Sequence, residues 1–476
     1  MTPNLTKKQE LFESSSVPRA ILNLAIPSVI GQIILVIYNM ADTLYLGMTG
    51  NDAMVTAAAV CMPAYMFLSA ISNLFGVGGA SVISRALGAR DRERAKHTSS
   101  FAVWGCLLVA MVYSVGAFLV LDTFVDLLGG SNSAVHGYAC QYMIVVVVLG
   151  GIITAMNTLF AHLIRAEGYS PQSSVGIAIG GILNIGLDPL FMFGILEPGN
   201  EVLGAAIATT LSNLVALIYF AAVIIIKRKS FCLNVKPSAK ILQNSIPLDV
   251  LRVGLPACVM TLCENISYAI LDNLMVAAGL AAQTGIGVAK KVNMLAHSIV
   301  RGMTQGVLPL IGYNFASGNR KRMKHVVFLS GGISILVSLL CMTTSLVWSE
   351  ELIGIFIRNS GSVHFGAIFL QILCVGAPFS ACAYTIISFF QATGCGGKSL
   401  VLALLRKGIL DIPLMFLMQY LLPVFGIVCA TPIADILCCI TAVLLFAIFL
   451  KKHGNDRIVK PTAASCEAVG LCEATK

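Results

Sequence analysis

Residues 176–196 read GIAIGGILNIGLDPLFMFGIL, an apolar run long enough to cross a bilayer but interrupted by Asn184 and Asp188. A carboxylate in hydrocarbon costs at least about 3 kcal/mol, so it faces a cavity, a partner or an ion path rather than lipid. Asn184 and Asp188 are four residues apart, a spacing that stacks both side chains on one face of a helix. Pro189 follows the acid and frees a backbone carbonyl in the same region, which adds polar ligand capacity. The stretch therefore reads as a membrane helix that carries a site.

The rest of the chain supports this reading. It is 57% hydrophobic and only 11% charged, and its mean hydropathy of +0.87 lies far outside the range of soluble globular proteins. Apolar runs recur at 20–42, 54–79, 99–121, 139–164, 173–196, 202–226, 250–275, 281–311, 326–348, 366–392, 399–422 and 426–450. They predict an all-α integral membrane protein with twelve transmembrane helices. The seventh contains Glu264 and Asp272 and the eighth contains Lys290, Lys291 and Arg301, so these two are the least apolar.

Lysine and arginine collect in alternate loops. Arg85 to Lys96 and Lys227 to Arg252 are the richest clusters, and Arg320, Lys321, Arg322 and Lys324 form a third. The opposite loops hold Asp122, Asp126, Glu197, Glu201, Glu350 and Glu351, with Arg358 as their only Arg or Lys. This asymmetry predicts that both termini are cytoplasmic, and it accounts for the net charge of +9 without any nucleic-acid partner. The first apolar run is too long for a signal-peptide core and lacks a following cleavage site, so it is expected to remain as helix 1. The fifteen cysteines fall mostly within apolar segments with no paired C-x-x-C, which suits buried small hydrophobes better than metal ligands or disulfides.

Sliding the chain against itself by about 226 to 229 residues brings dissimilar landmarks together. Pro18 and Pro27 match Pro247 and Pro256, His97 matches His325, and Gly168 and Ser173 match Gly394 and Ser399. The expected organisation is an N-terminal segment (1–19), a six-helix bundle (20–226), a cytoplasmic linker (227–249), a second six-helix bundle (250–450) and a disordered tail (451–476). Because six is even, the two halves share one orientation and pack about an axis along the membrane normal. Rocking one half against the other exposes the space between them alternately, which is the architecture of a transporter. An enzyme would need a nucleophile with a base or a metal cluster, and the seven histidines are scattered.

The halves differ in their polar residues. Asp42, Asn157, Asn184 and Asp188 belong to the first, and their repeat equivalents near Leu271, Ala383 and Ile412 are apolar. Asp42 is either an interfacial acid meeting water or the partner of Asp188 across the bundle. In the second case the two carboxylates share a proton or bind a cation, with Asn184 and Thr209 of helix 6 adding hard oxygen ligands. Glu264 either pairs with Lys290 or Lys291, or attracts a cationic substrate or carries a proton. Asp411 is expected to form a structural ion pair with Arg406 or Lys407. Gly176 and Gly180, with three residues between them, read as close helix contacts. Ala392 to Ser399, ATGCGGKS, fits a relaxed P-loop pattern, but it joins two membrane helices rather than a strand and a soluble helix. Neither ATP nor any cofactor is expected, and the energy source is taken to be an ion gradient.

Five segments together resemble the multidrug and toxic compound extrusion (MATE) family, in its bacterial branch. They are LAIPSVIGQIILVIYNMADTLYLG, GVGGASVISRALGARDRERA, LNIGLDPLFMFG, GLPACVMTLCEN and GVLPLIGYNFASGNRKRM. The resemblance implies two six-helix bundles forming a V in the cell membrane, which export bulky, usually cationic amphiphiles in exchange for H⁺ or Na⁺. By the same resemblance the family's helix 1 acid falls on Asp42, its helix 5 Asn and Asp on Asn184 and Asp188, its helix 7 glutamate on Glu264 and its helix 1 bend on Pro27. The helix 10 acid of some Na⁺-coupled members falls near Cys382, so coupling is expected in the first bundle. If the ion is Na⁺, then Asp42, Asn184 and Asp188 are its ligands; Thr209 and Asn157 are further candidates. The expected partners are small organic cations and the bilayer, with the protein working as a monomer. The alternative within the same superfamily is a flippase for lipids or lipid-linked oligosaccharides.

Overall fold

The computed structural model describes residues 7–237 and 245–453. Parts of the expected N-terminal segment, the linker and most of the tail lie outside the described residues. A short helix, Lys7–Glu13, precedes the membrane helices. Helix 1 is Val17–Met48, helix 2 Asp52–Gly88 and helix 3 Arg92–Leu119. Helix 4 consists of Ser133–Met143, Ile144–Leu149 and, after a 50° bend, Gly151–Ala166. Helix 5 is Ser170–Pro189 extended by Leu190–Ile195, and helix 6 is Glu201–Ile226.

The second half repeats the pattern. Helix 7 is Ile246–Val276, helix 8 Leu280–Ala316 and helix 9 Arg320–Val347. Helix 10 is Ser360–Val375 and, after a 43° bend, Ala377–Ala392. Helix 11 runs in three pieces, Gly396–Leu404, Leu405–Ile409 and Asp411–Leu421, and helix 12 is Phe425–His453. Eight of these helices are long and apolar enough to span a membrane unaided, and the two bent pairs raise the number to ten. The remaining two are helix 8, which carries Lys290, Lys291 and Arg301, and the broken helix 11. Helix 7 passes despite Glu264 and Asp272. Helix 3 shows why lipid is the solvent: Leu108, Val112, Val115 and Leu119 lie exposed along one helical face.

The repeat is visible in the local chemistry. Asp91 caps helix 3 by accepting from the Arg94 amide, and Asn319 caps helix 9 by accepting from the Arg322 amide. Asn132 and Asn359 do the same for helices 4 and 10. Gly168 and Gly394, which follow helices 4 and 10, have φ of +86° and +79°, a conformation that favours glycine. Helix 1 runs as one helix through Pro27, from Val17 to Met48.

The halves meet along helices 1 and 8 and along helices 2 and 7. Glycine makes the approach possible: a Cβ on Gly78 would lie 2.3 Å from the Val250 carbonyl oxygen, and one on Gly302 would lie 2.4 Å from the Val29 Cα. Among the described residues the hydrogen bonds between the halves run from mid-helix toward the end where helices 1 and 7 begin and helices 2 and 8 finish. Among the described residues Gln32 Nε2 to Gln305 Oε1 (3.3 Å) and Asn73 Nδ2 to Thr261 Oγ1 (2.9 Å) are those farthest from that end. The molecule is thus a V, closed at the face where the described chain begins and ends.

Candidate functional site in the first bundle and the central cavity

Helix 5 can hold a polar site because its small residues bring two neighbours close. A Cβ on Gly176 would clash with the Phe220 ring of helix 6, and one on Gly181 would lie 2.7 Å from the Ile34 Cγ2 of helix 1. Asn184 and Asp188 sit on the same buried side of helix 5, 2% and 0% exposed. Asn184 Nδ2 donates to Asp188 Oδ1 at 3.2 Å and to Thr209 Oγ1 of helix 6 at 3.4 Å. Asp42 reaches in from helix 1, with its carboxyl group in hydrogen-bonding reach of that of Asp188.

Neither Asp42 Oδ1 nor Asp188 Oδ2 receives a donor from the protein, although both atoms are buried, and Asn184 Oδ1 is equally unpartnered. Two buried carboxylates this close repel unless a proton or a cation stands between them. The free oxygens of Asp42, Asp188 and Asn184, with the Thr209 hydroxyl, are hard ligands of the kind that either H⁺ or a small cation takes. The donor set therefore fits a transported ion.

The remaining candidates fall at different distances from this pair. Asn157 of helix 4 is a neighbour rather than a direct contact: its Nδ2 donates to Asn213 Oδ1 at 2.8 Å, and Asn213 Nδ2 donates to Thr154 Oγ1 at 3.3 Å. Asn213 also meets Tyr65, which pairs with Tyr38, one turn before Asp42. Tyr142 lies close enough to Asp42, Tyr65 and Asp188 to feel their charges. These tyrosines escaped sequence reading because an aromatic in an apolar run looks like lipid-facing or core residue; only the four-residue spacing of Tyr38 and Asp42 signals otherwise.

The second bundle carries charge of another kind. Glu264 pairs with Arg301, not with Lys290 or Lys291, and Tyr384 Oη lies 3.4 Å from its Oε1. Lys290 instead pairs with Asp272 nearer the open end of the V. Lys407 Nζ donates to Asp411 Oδ2 at 2.8 Å, and Ser267 (2.6 Å) and Thr431 (3.0 Å) saturate that carboxylate. Arg406 does not join them but pairs with Asp435 of helix 12 at 2.7 Å, while its guanidinium lies 4.2 Å from the Tyr384 ring centroid. Asp435 was not singled out in the sequence. Arg301, Arg406 and Lys407 thus face Glu264, Asp435 and Asp411 in balance, whereas among the described residues no Lys or Arg forms an ion pair with Asp42 or Asp188.

Between the halves, just inside the closed end, lies a cavity of about 100 Å³. Asn73, His162 and Arg165 line it from the first half and Glu264, Arg301 and Tyr384 from the second. Arg165 lies at the very end of its apolar run, where sequence alone marks it only as a helix boundary.

A duplicated bundle of twelve membrane helices, with a polar cavity on its pseudo-symmetry seam, is the architecture of a membrane transporter. The MatE family model matches residues 27–190 and 256–417, so the chain belongs to the MatE family. Curated relatives include the multidrug export protein MepA of Staphylococcus saprophyticus, 28% identical over 94% of this chain and 97% of that protein. MepA of Staphylococcus aureus strain MRSA252 is also 28% identical, over 96% and 98%. Among solved structures the fold is similar to an outward-facing multidrug resistance MATE transporter of the MOP superfamily, with a TM-score of 0.86 and 23% identity over 94% of this chain and 98% of that one. A MATE crystallised with MaL6 gives 0.85 and 24% over 94% and 99%. The chain is therefore a multi-pass transporter and not an enzyme.

Proposed function

We propose that this protein exports amphiphilic drugs and toxic organic compounds from the cell, driven by H⁺ or Na⁺ entering through Asp42, Asp188 and Asn184. The observation that carries the coupling site is the approach of Asp42 to the buried Asp188 with no Lys or Arg paired to either among the described residues, whereas in the second half Glu264, Asp411 and Asp435 each pair with a cation. Near full-length similarity to multidrug exporters supports the export reading.

With the cation-rich loops in the cytoplasm, the closed end faces inward and the V opens outward. An ion arriving from outside at Asp42 and Asp188 changes the charge between helices 1 and 5. Helix 1 is also the helix that helix 8 touches across the seam, so a shift there reaches the contact between the halves. The protein works as a monomer in the plasma membrane, and its substrates are small molecules.

The test is efflux of a fluorescent dye from proteoliposomes with a proton or a sodium gradient imposed separately. One gradient accelerates efflux by the native protein, and Asp188→Asn loses that acceleration at least tenfold. Full gradient-driven efflux by Asp188→Asn would refute the assignment.

A further inference from the structure

Arg165 stands in the last turn of helix 4, inside the central cavity, and is 2% exposed. Its Nη1 donates to Gln305 Oε1 at 3.0 Å, while Nε and Nη2 are buried without a partner. Among the described residues no carboxylate forms an ion pair with it, unlike the buried Arg406 and the half-buried Arg301. The charged groups lining the cavity are Arg165, Arg301 and Glu264. Arg301 and Glu264 neutralise each other, so among the Asp, Glu, Lys and Arg side chains of the lining only Arg165 is left uncompensated.

A packing role does not require this charge. The repeat sets Arg165-Ala-Glu-Gly168 against Gln391-Ala-Thr-Gly394, and Gln391 lines the same cavity from the second half as a neutral side chain. A guanidinium with two free donors in a water-poor site is strongly disfavoured until an acceptor arrives, and its planar fork matches a carboxylate. A substrate bearing only positive charge would add repulsion to the cavity. One that also carries a carboxylate would satisfy both free donors and cancel the charge of Arg165.

We propose that Arg165 is a substrate-binding residue that receives the carboxylate of zwitterionic amphiphiles and so sets the protein's preference for them over simple cations. The proposal rests on the export reading above and names its substrate class. Gln305 accepts from both Arg165 and Gln32, so an occupant of Arg165 is held where the halves meet.

The experiment compares a rhodamine with a free carboxylate and its methyl ester, which differ only in the group Arg165 would bind. Efflux is measured as kcat/KM in proteoliposomes, and binding by fluorescence polarisation on the full-length protein in detergent. The native protein prefers the acid, and Arg165→Gln lowers the acid-to-ester ratio about 10- to 100-fold in both assays, while Arg165→Lys, which keeps the charge, retains part of it. An unchanged ratio, an equal loss for both dyes, or native protein that binds the acid no tighter than the ester would overturn the proposal. Native protein that binds the acid selectively but exports neither dye would support Arg165 while rejecting the export reading.

Discussion

A Cβ placed on Gly254 would lie 1.7 Å from the carbonyl oxygen of Leu74, so helices 7 and 2 touch backbone to backbone where the halves close. No side chain fits that gap, and backbone on both sides leaves little room to yield. Gly254→Ala is therefore expected to wedge the closed end apart and reduce efflux at least tenfold. Gly116→Ala, at a position with nothing within 4 Å, serves as the control. Spin-label distances across the closed face should lengthen in the first variant only; an unaltered distance distribution for Gly254→Ala would contradict the seam described above.

Arg322 clasps the segment that precedes helix 1. Its guanidinium donates to the carbonyl oxygens of Phe12 (2.9 Å), Ser15 (2.6 Å) and Leu11 (3.2 Å), and Phe12 stacks on Tyr313 with ring centroids 4.8 Å apart. The first half's leader is thereby tied to the second half at the closed end. In Arg322→Ala, amide hydrogen exchange over residues 10–16 should accelerate by at least tenfold, because charged hydrogen bonds of this kind contribute about 1.5–3 kcal/mol each. Unchanged exchange there would mean that the ring stacking alone holds the segment.

Asp42 and Asp188 are expected to act as a unit. Asp42→Asn and Asp188→Asn should each abolish gradient-driven efflux, and the double variant should be no worse than either, since one ion needs both carboxylates. Additive losses in the double-mutant cycle would instead place the two acids in separate steps.

The balanced network of the second bundle makes a different prediction. Lys407→Met leaves Asp411 buried with only Ser267 and Thr431 as donors, and should destabilise the protein by about 3–5 kcal/mol. Adding Asp411→Leu removes the stranded charge and should restore most of the loss in thermal unfolding. If the double variant melts no higher than Lys407→Met, the pair has a role beyond mutual neutralisation.

Much of the architecture was legible in the chain because the bilayer acts on local composition. Its thickness and dryness demand runs of about 20 apolar residues with every backbone group paired internally, so spans and the repeat can be read from segments alone. Helices 8 and 11 are the instructive exceptions: Lys290, Lys291, Arg301, Arg406 and Lys407 lower their hydropathy, and Lys290, Arg301 and Arg406 pair with carboxylates of other helices while Lys407 pairs with Asp411 one turn along its own. The cost of a buried acid likewise drew attention to Asn184 and Asp188 before any partner was visible.

What the sequence by itself determined was the all-α membrane class, the duplicated halves and the helix 5 pair as a polar site. The tertiary structure alone decided which charges meet. Glu264 pairs with Arg301 rather than a nearby-looking lysine, Arg406 reaches Asp435, Asp42 comes beside Asp188, and Arg165 faces the seam with no carboxylate paired to it among the described residues. The physical reason is that hydropathy is a property of each segment, whereas ion pairing in a low-dielectric interior depends on the separation of atoms carried by different helices.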